Sequence, residues 1–371
     1  MIFIDLARAL AVVFMLYGHA IDALLAPAYK AGTWHSAWQF QRGLTSSLFL
    51  LLSGFAFSVA TGRHWASHTT LSPKWWKRVR RFALFIGLGY MLHFPAGRVF
   101  DLPWAREPQW RSFYAADVLQ LIGVTFIGVQ CLVLLVPSRR RFALVALALA
   151  VAMVALTPLM WSIEWSRWLP MGIWAYLAPV FGPEFPLFPL FPWSAFILIG
   201  VALGQLYARW GGAHLGDFTR RALIVPGAII VAAGYAVALY PHEVFAGGAR
   251  SLLPIDMAIR AGACLLILGA IALAAGQLTR LPHVFSAMAQ ETLLIYFIHL
   301  CVIYGSAWSY GLVHAFGATL DPRGTLGVVL ALIAAMAAMA AYWNWLKHAR
   351  PRTALWVGRV AMVVLVAGFI F

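Results

Sequence analysis

The sequence predicts an all-α protein, a polytopic transmembrane bundle of about ten or eleven helices. Apolar residues make up 63% of the chain and charged residues 11%, whereas a water-soluble domain has about 45–50% and 25%. Apolar runs of about 20 residues, the length that crosses a bilayer as a helix, recur along the sequence. The polar stretches between them are too short for a soluble domain. We therefore assign residues 1–371 to a single integral membrane domain, with the lipid bilayer as its main partner.

The predicted spans follow one another from the first residues to the last. In chain order they are 2–24, 40–62, 82–100, 116–136, 143–161, 189–208, 222–241, 253–275, 286–309, 324–346 and 353–371. Alternate connections between them are rich in Lys and Arg, and the positive-inside rule assigns such connections to the cytoplasm. We therefore expect a multi-pass protein of the bacterial inner membrane with a cytoplasmic N-terminus.

The charge and the cysteine content argue against a nucleic-acid-binding protein and against a fold held by disulfides or a metal. The net charge of +15 is divided among short clusters between the spans, which is typical of a topology signal rather than of a nucleic-acid-binding face. Cys131, Cys264 and Cys301 all lie within apolar runs. They are interpreted as small buried residues, and neither a disulfide framework nor a metal site is predicted.

The first span contains polar residues that a membrane helix normally lacks. On a helical wheel with Asp5 at zero, Arg8 falls at about 300°, His19 at about 320° and Asp22 at about 260°. One face therefore carries all four, with Arg8 and His19 about 16 Å apart along the axis. An ionised group at the bilayer centre costs about 2.5–3.5 kcal/mol, so this face is expected to point into the protein.

The spacing within this face also suggests its chemistry. Asp5 and Arg8, like His19 and Asp22, are i,i+3 neighbours that can touch on a helix. A carboxylate that orients an imidazole favours general-base catalysis. The alternative is structural: the first pair lies near one membrane interface, the second near the other, and both only snorkel towards water.

Four segments, taken in order, resemble the membrane acyltransferase-3 family. These are Ile4-Asp5-Leu-Ala-Arg8 with His19, then Ser53-Gly54-Phe55, then the Arg-x-x-Arg pattern of Arg78 and Arg81, and finally Tyr296-Phe-Ile-His299. Further segments resemble a related branch, the heparan-α-glucosaminide N-acetyltransferase-like proteins. These are His19-x-x-Asp22, Asp117-Val-Leu-Gln120-Leu-Ile-Gly123, and Pro189-Leu-Phe-Pro192-Trp193 with Gly200 and Gly204.

The resemblance implies a membrane acyltransferase that uses acyl-CoA, most often acetyl-CoA, and no metal. The acceptor would be a hydroxyl or an amine of a glycan, a lipid-linked molecule or another compound. His19 would be the general base or an acyl relay, with Asp22 as its partner. Arg8 would line the donor channel, and Arg78 and Arg81 would bind the phosphates of CoA. Arginine suits that task because its planar group binds phosphate bidentately.

Several assignments stay open at this stage. The N-acetyltransferase branch places its reactive histidine after the first helix, where this chain has His35, so His35 competes with His19 for the role of base. Trp34, Asp5 and Glu291 are candidate substrate-binding residues, and Glu291 is expected to pair with Arg8 or a donor-site arginine. A proton-coupled transporter would also place Asp, His and Arg within the membrane. A haem-binding electron carrier and a purely structural scaffold are weaker alternatives.

Overall fold

The computed structural model describes residues 1–181, 187–210, 214–238 and 254–370. Within these ranges the chain is helical, with strand pairing confined to two isolated bridges, and the all-α prediction is confirmed. The helices are α1 (Ile2–Leu24), α2 (Gly32–Gly62), α3 (Trp65–His68), α4 (Pro73–Leu92), α5 (Glu107–Tyr114), α6 (Val118–Leu135), α7 (Arg139–Ala155), α8 (Thr157–Ser162), α9 (Met171–Trp174), α10 (Leu190–Trp210), α11 (Leu215–Phe218), α12 (Val225–Ala238), α13 (Pro254–Ala275), α14 (His283–Gln290), α15 (Thr292–Ile303), α16 (Leu312–Phe316), α17 (Pro322–Ala349) and α18 (Pro351–Ile370).

Most of the predicted spans correspond to helices that can cross a membrane. In the described ranges, eight helical segments are long and apolar enough, and a ninth span results if the bent pair of α14 and α15 is counted as one. The predicted spans 82–100 and 143–161 are not among them. The helix at the first position, α4, begins with a basic turn and ends at Leu92. The helix at the second, α7, has 17 residues and is shorter than a typical span.

The ends of several helices follow from local sequence signals. Asp117 caps α6, with its Oδ1 accepting a hydrogen bond from the backbone N–H of Val118 at 2.7 Å. Asp321 caps α17 by accepting from the N–H of Gly324 at 2.8 Å, and Pro322 occupies the first helical position. Side-chain oxygens at these positions satisfy backbone donors that the first turn of a helix leaves unpaired, which fixes where each helix starts.

The described chain divides into two compact units. Unit 1 comprises Met1–Ser46, Met91–Phe113 and Leu278–Phe371, and unit 2 comprises Ser47–Tyr90 and Tyr114–Gln277. The boundary falls within α2, so the first part of this helix belongs to unit 1 and the rest to unit 2. The assignment of the whole chain to one membrane domain stays a prediction.

Unit 1 is built around α1, which packs against α14, α15 and α17. Several of its buried residues are small, and Ala7, Ala9 and Ala11 are fully buried. Such residues let helices approach closely. The end of α1 is tied to the segment before α17, because Leu320 donates to the carbonyl of Leu24 at 3.0 Å and accepts from Ala26 at 2.9 Å.

Unit 2 contains helix crossings at which glycine is required. A Cβ atom added to Gly54 of α2 would lie 2.0 Å from the carbonyl oxygen of Ile197, and one added to Gly200 of α10 would lie 1.9 Å from that of Leu51. The two helices therefore meet backbone to backbone. Gly123 of α6 makes a similar approach, 2.7 Å from the carbonyl oxygen of Phe82. Several residues of the family-like segments thus serve helix packing rather than chemistry.

Candidate active site

The polar face of α1 lies within unit 1, where Asp5, Arg8, His19 and Asp22 are all partly buried. The helix is continuous from Ile2 to Leu24, so the spacing expected from the sequence holds. Arg8 and His19 are separated by about 16 Å along the axis. The face therefore has two ends, which bind different neighbours.

The N-terminal end of this face is held by contacts with charged and hydroxyl groups. The carboxylate of Asp5 lies 3.2 Å from the amino group of Met1, and its ion pair is thus not with Arg8, although their spacing allows contact. The guanidinium of Arg8 donates to Oγ1 of Thr292 at 2.7 Å. Because Thr292 is the first residue of α15, this bond joins α1 to the start of that helix.

Glu291 lies at the break between α14 and α15, which are bent by 80°. Its side chain is buried, and Oε1 accepts from the ammonium of Lys347 at 2.5 Å and from the amide of Asn344 at 3.0 Å. The expected pairing of Glu291 with Arg8 or a donor-site arginine is therefore wrong. The bend turns this carboxylate towards α17, a direction that a helical wheel of a straight span does not reveal.

The C-terminal end of the face contains a cluster of His19, His299 and Tyr304, which we call the His19 cluster. Nδ1 of His19 lies 3.1 Å from the hydroxyl of Tyr304, and the ring centroids of His19 and His299 are 5.3 Å apart. His299 is fully buried, and its Nδ1 lies 2.8 Å from the carbonyl oxygen of Ile295. The cluster thus brings two imidazoles and a phenol together.

Asp22 binds cationic side chains. Its Oδ2 accepts from the guanidinium of Arg42 on α2 at 2.6 Å, and its backbone carbonyl accepts from Lys30 at 2.7 Å. The expectation that Asp22 orients the imidazole of His19 is corrected, because a guanidinium forms a charge-assisted bond with this carboxylate and Tyr304 occupies Nδ1 of His19. The ion pair connects α1 to α2 within unit 1.

His35 and Trp34 lie in the first turn of α2. Nε2 of His35 is 3.2 Å from the amide nitrogen of Gln39, and its ring contacts those of Trp34 and Trp38 at centroid distances of 5.6 and 5.2 Å. Trp34 is exposed. The structure thus gives His35 neighbours on its own helix, whereas those of His19 come from α15 and the residue that follows it.

Arg78 and Arg81 lie on α4 in unit 2, in different environments. Arg78 is partly buried, donates to Oγ1 of Thr61 and lies 4.8 Å above the ring centroid of Phe57. Burial and, to a smaller extent, the nearby charge of Arg81 lower the pKa of Arg78 to about 10. Arg81 itself is exposed. The Arg-x-x-Arg pattern therefore presents one anchored and one solvent-facing guanidinium.

His68 is a buried titratable residue that the sequence did not single out. It ends α3 in unit 2, and Nδ1 lies 3.5 Å from the amide nitrogen of Gln130. Burial lowers the pKa of His68 to about 4, with smaller contributions from the positive charges of Arg78, His64 and Lys74. The imidazole is therefore neutral at pH 7.

Sequence reasoning also missed Tyr304, Lys347 and Asn344 as members of the polar contacts of unit 1. A signal was present for two of them. Tyr304 follows His299 in the same predicted span, and Asn344 is a polar residue within an apolar helix. Lys347 directly follows the predicted span 324–346, and nothing in its sequence context distinguishes an ion pair with a buried carboxylate from a topology signal.

Comparison with known families identifies this chain. Within the part of the chain that the structure describes, no group of three or more His, Cys, Asp or Glu side chains could hold a metal ion. A comparison with curated proteins gave no match. Residues 1–240 match the model of the heparan-alpha-glucosaminide N-acetyltransferase catalytic family. The match covers more than half of the chain and includes α1, and the chain therefore belongs to this family of membrane acetyltransferases.

Proposed function

We propose that the protein transfers an acetyl group from cytoplasmic acetyl-CoA to a hydroxyl or an amine of a glycan, a lipid-linked molecule or another acceptor, at or across the membrane. The observation that carries this proposal is the His19 cluster, in which His19 lies on α1 within the matched residues. A thioester is already activated, so the enzyme mainly has to position the two substrates and remove a proton from the acceptor. A partly buried imidazole is suited to that second task.

His19 is the proposed general base, and an acyl-histidine relay through the same side chain is the variant of this mechanism. Two observations favour His19 over His35. Its Nδ1 is bonded to a hydroxyl across the helix interface, and its helix contains the other polar groups of the family-like face. Asp22 supports the site indirectly by holding Arg42, and thus α2, against α1.

Cationic side chains are the proposed binding groups for the donor. Arg78 and Arg81 would bind phosphate groups of CoA, since a guanidinium that is partly desolvated binds phosphate strongly. The anchoring of Arg78 by Thr61 and Phe57 supports this role, because a fixed guanidinium loses little entropy on binding. Arg8 would line the channel for the acyl group from its position beside Thr292.

Fewer contacts in the structure point to an acceptor site than to a donor site. Trp34 has an exposed ring that an acceptor could contact. Asp5 and Glu291 remain candidates for substrate binding, but each already binds a cation within unit 1, which favours a structural role. The family match gives the transporter alternative no support. We retain the bacterial inner membrane and a cytoplasmic N-terminus as part of the proposal.

The decisive experiment measures the rate at which the purified protein releases free CoA from radiolabelled acetyl-CoA. When no other acceptor is added, water accepts the acetyl group. We expect measurable turnover by the wild type, and a loss of about 10²- to 10⁴-fold in His19→Ala, the range that a general base contributes. His35→Ala is measured in parallel. His283→Ala is the matched control, because this histidine is exposed at the start of α14.

Three outcomes of these measurements would contradict or change the proposal. No turnover by the wild type, combined with no thermal stabilisation by CoA, contradicts the acetyltransferase proposal. Loss of activity in His35→Ala but not in His19→Ala transfers the role of base to His35. A loss in His283→Ala equal to that in His19→Ala shows that the assay reports general damage to the protein.

A further inference from the structure

A groove in unit 2 is lined mainly by aromatic side chains. It is formed by residues from the end of α8 to just after α9, and its volume of about 340 Å³ is within the range of small-molecule sites, roughly 300–1,000 Å³. The lining includes three tryptophans, two serines and one acid, namely Trp161, Trp165, Trp174, Ser162, Ser166 and Glu164. We propose that this groove binds a quaternary ammonium group, with the indole rings in contact with the cation and Glu164 as its counter-charge.

The groove lies at the start of α10, away from the basic end of that helix. Nε1 of Trp161 donates to the carbonyl oxygen of Phe191, at the start of α10, at 3.2 Å, whereas Arg209 lies in the last turn. The positive-inside rule assigns the basic end to the cytoplasm, so the proposed orientation places the groove on the outer side of the membrane. The groove belongs to unit 2 and the His19 cluster to unit 1, and ammonium binding does not depend on acetyl transfer.

The tryptophan rings of the groove are held in place by contacts within the protein. Nε1 of Trp165 donates to the carbonyl oxygen of Met160 at 2.7 Å, and that of Trp161 is bonded to α10. Trp174 packs against a small buried apolar cluster. Because two indole N–H groups are already bonded, those rings offer a ligand apolar surface and π electrons, which attract a cation. Rings that are fixed in advance lose little entropy on binding.

The charge of the lining also favours a cation. The chain has 27 Lys and Arg residues against 12 Asp and Glu, yet the residues that line this groove, all within the described ranges, include Glu164 and no Lys or Arg. The guanidinium of Arg167 lies 2.6 Å from Oε2 of Glu164, and both side chains are more than half exposed. Such an exposed pair contributes little, so a ligand cation can compete with Arg167 for the carboxylate.

The hydrogen-bonding groups of the lining favour a quaternary ammonium over other ligands. A primary ammonium has three N–H donors that need acceptors, but Oε2 of Glu164 already binds Arg167. A sugar has several hydroxyl groups that need partners on burial, but Oγ of Ser162 already donates to the carbonyl oxygen of Leu159 at 2.8 Å. A quaternary ammonium has no N–H, and aromatic rings are the groups that recognise it in proteins.

The test measures binding of choline chloride to the purified full-length protein. A polyoxyethylene detergent is used, because it contains neither an ammonium group nor a sugar. Saturation-transfer NMR of the choline methyl protons gives the dissociation constant. Two other compounds are titrated in the same way: the uncharged analogue of choline, in which carbon replaces nitrogen, and methyl glucoside.

We expect choline to bind at least about 10-fold more tightly than its uncharged analogue. Trp165→Leu should weaken choline binding by about 2- to 30-fold, the contribution of one contact between a cation and a ring. Glu164→Gln should weaken it by about 2- to 5-fold. Arg167→Gln should tighten it by up to about 5-fold, because this substitution removes the competing guanidinium.

Two matched controls should leave the affinity for choline unchanged. Trp168→Leu removes a ring that is 79% exposed and does not line the groove. Glu107→Gln makes the same change in net charge as Glu164→Gln, at an exposed position of unit 1.

Absence of choline binding by the wild type, or equal binding of choline and its uncharged analogue, overturns the proposal and leaves the tryptophans as anchors at the bilayer interface. Binding of methyl glucoside in place of choline assigns the groove to a sugar and also overturns it. Because Glu164 is largely exposed, Glu164→Gln tests the role of charge even if Trp165→Leu does not fold. An affinity that Glu164→Gln leaves unchanged contradicts the proposed counter-charge.

The ammonium group has two possible sources, a soluble ligand and a lipid headgroup. Choline binding is therefore repeated in bilayers of phosphatidylcholine and of phosphatidylglycerol. Binding that is lost in the first and kept in the second supports the proposal with a lipid headgroup as the ligand. Binding that is kept in both supports it with a soluble ligand.

Discussion

Unit 1 and unit 2 join their helices in different ways. In unit 2 the backbones of α2 and α10 meet at Gly54 and Gly200, where a single methyl group would collide with a carbonyl oxygen. In unit 1 the side chains of Arg8, His19 and Glu291 reach neighbouring helices through hydrogen bonds and an ion pair. Residues that look alike in a family motif are therefore of two kinds. Some allow helices to pack closely, and others form the polar contacts of the candidate site.

Membrane physics explains why both kinds occur. Lipid tails are as apolar as a leucine side chain, so helices in a bilayer associate through close packing and through interhelical hydrogen bonds. Glycine contacts provide the first and polar contacts the second. The close glycine contacts of unit 2 therefore support helix packing, whereas the polar contacts of unit 1 also hold the side chains of the candidate site.

The largest effect on stability is expected from Gly200→Ala in unit 2. The new Cβ would lie 1.9 Å from the carbonyl oxygen of Leu51, and a backbone atom cannot move aside without shifting a helix. We expect a loss of about 3 kcal/mol, measured as a lower midpoint of thermal unfolding in detergent.

Gly87→Ala is the matched control for this substitution. Gly87 also lies in a helix of unit 2, α4, but a Cβ there meets no atom within 4 Å. Alanine has the higher helix propensity, so this variant should be neutral or slightly more stable. Equal destabilisation by the two substitutions would show that the α2–α10 crossing is not the cause.

A smaller effect is expected from Lys347→Met in unit 1. The substitution removes the partner of the buried Glu291 carboxylate and leaves it the amide of Asn344. We expect a loss of about 2 kcal/mol, because the side chain of Lys347 is 41% exposed and water already screens the pair. Thermal unfolding of this variant, of Glu291→Gln and of the double variant completes a double-mutant cycle. Additive losses would contradict a direct interaction.

The smallest effect on stability is expected from His68, a buried ionisable residue of unit 2. The folded protein binds a proton at His68 only near pH 4, whereas an unfolded chain binds one at about pH 6.5. The unfolded state therefore gains protons first as the pH falls from 7 to 4, and stability is lost over that interval. Between pH 7 and pH 5 we expect His68→Gln to lose about 1 kcal/mol less than the wild type.

This difference is measured by thermal unfolding at the two pH values. His283→Gln, at an exposed position, should behave like the wild type. Parallel curves for the wild type and His68→Gln would mean that the buried imidazole is protonated as readily in the folded protein as in the unfolded chain.

The sequence predicted the helices better than it predicted their partners. Length and hydropathy are properties of one segment, so most spans and the polar face of α1 were predictable. The partners of that face were not, because a helical wheel gives a direction without the identity of the helix that lies there. Asp22 illustrates this: its spacing favoured His19, but α2 supplies a guanidinium at 2.6 Å.

The family-like segments divide in the same way. Gly54 and Gly200 resemble motif residues because the fold requires them, and their contacts leave no atom for a substrate. His19 also resembles a motif residue, but its hydrogen-bond partner Tyr304 lies in a part of the chain that the family model does not match. The 80° bend at Glu291 could not be inferred from a continuous apolar run, and it decides which helix that carboxylate faces.

The wide separation of α1 from its partners along the chain matters during synthesis. Arg8 and Thr292 are 284 residues apart, and His19 and Tyr304 are 285 residues apart. A ribosome that adds about 5–20 residues per second needs about 15–60 s to cover this interval. Until then α1 lacks the groups that bind Arg8 and His19 in the finished protein, and exposure of such residues to lipid is unfavourable. The nascent helix therefore needs a temporary polar environment, such as the insertion channel, until α15 and Tyr304 have been synthesised.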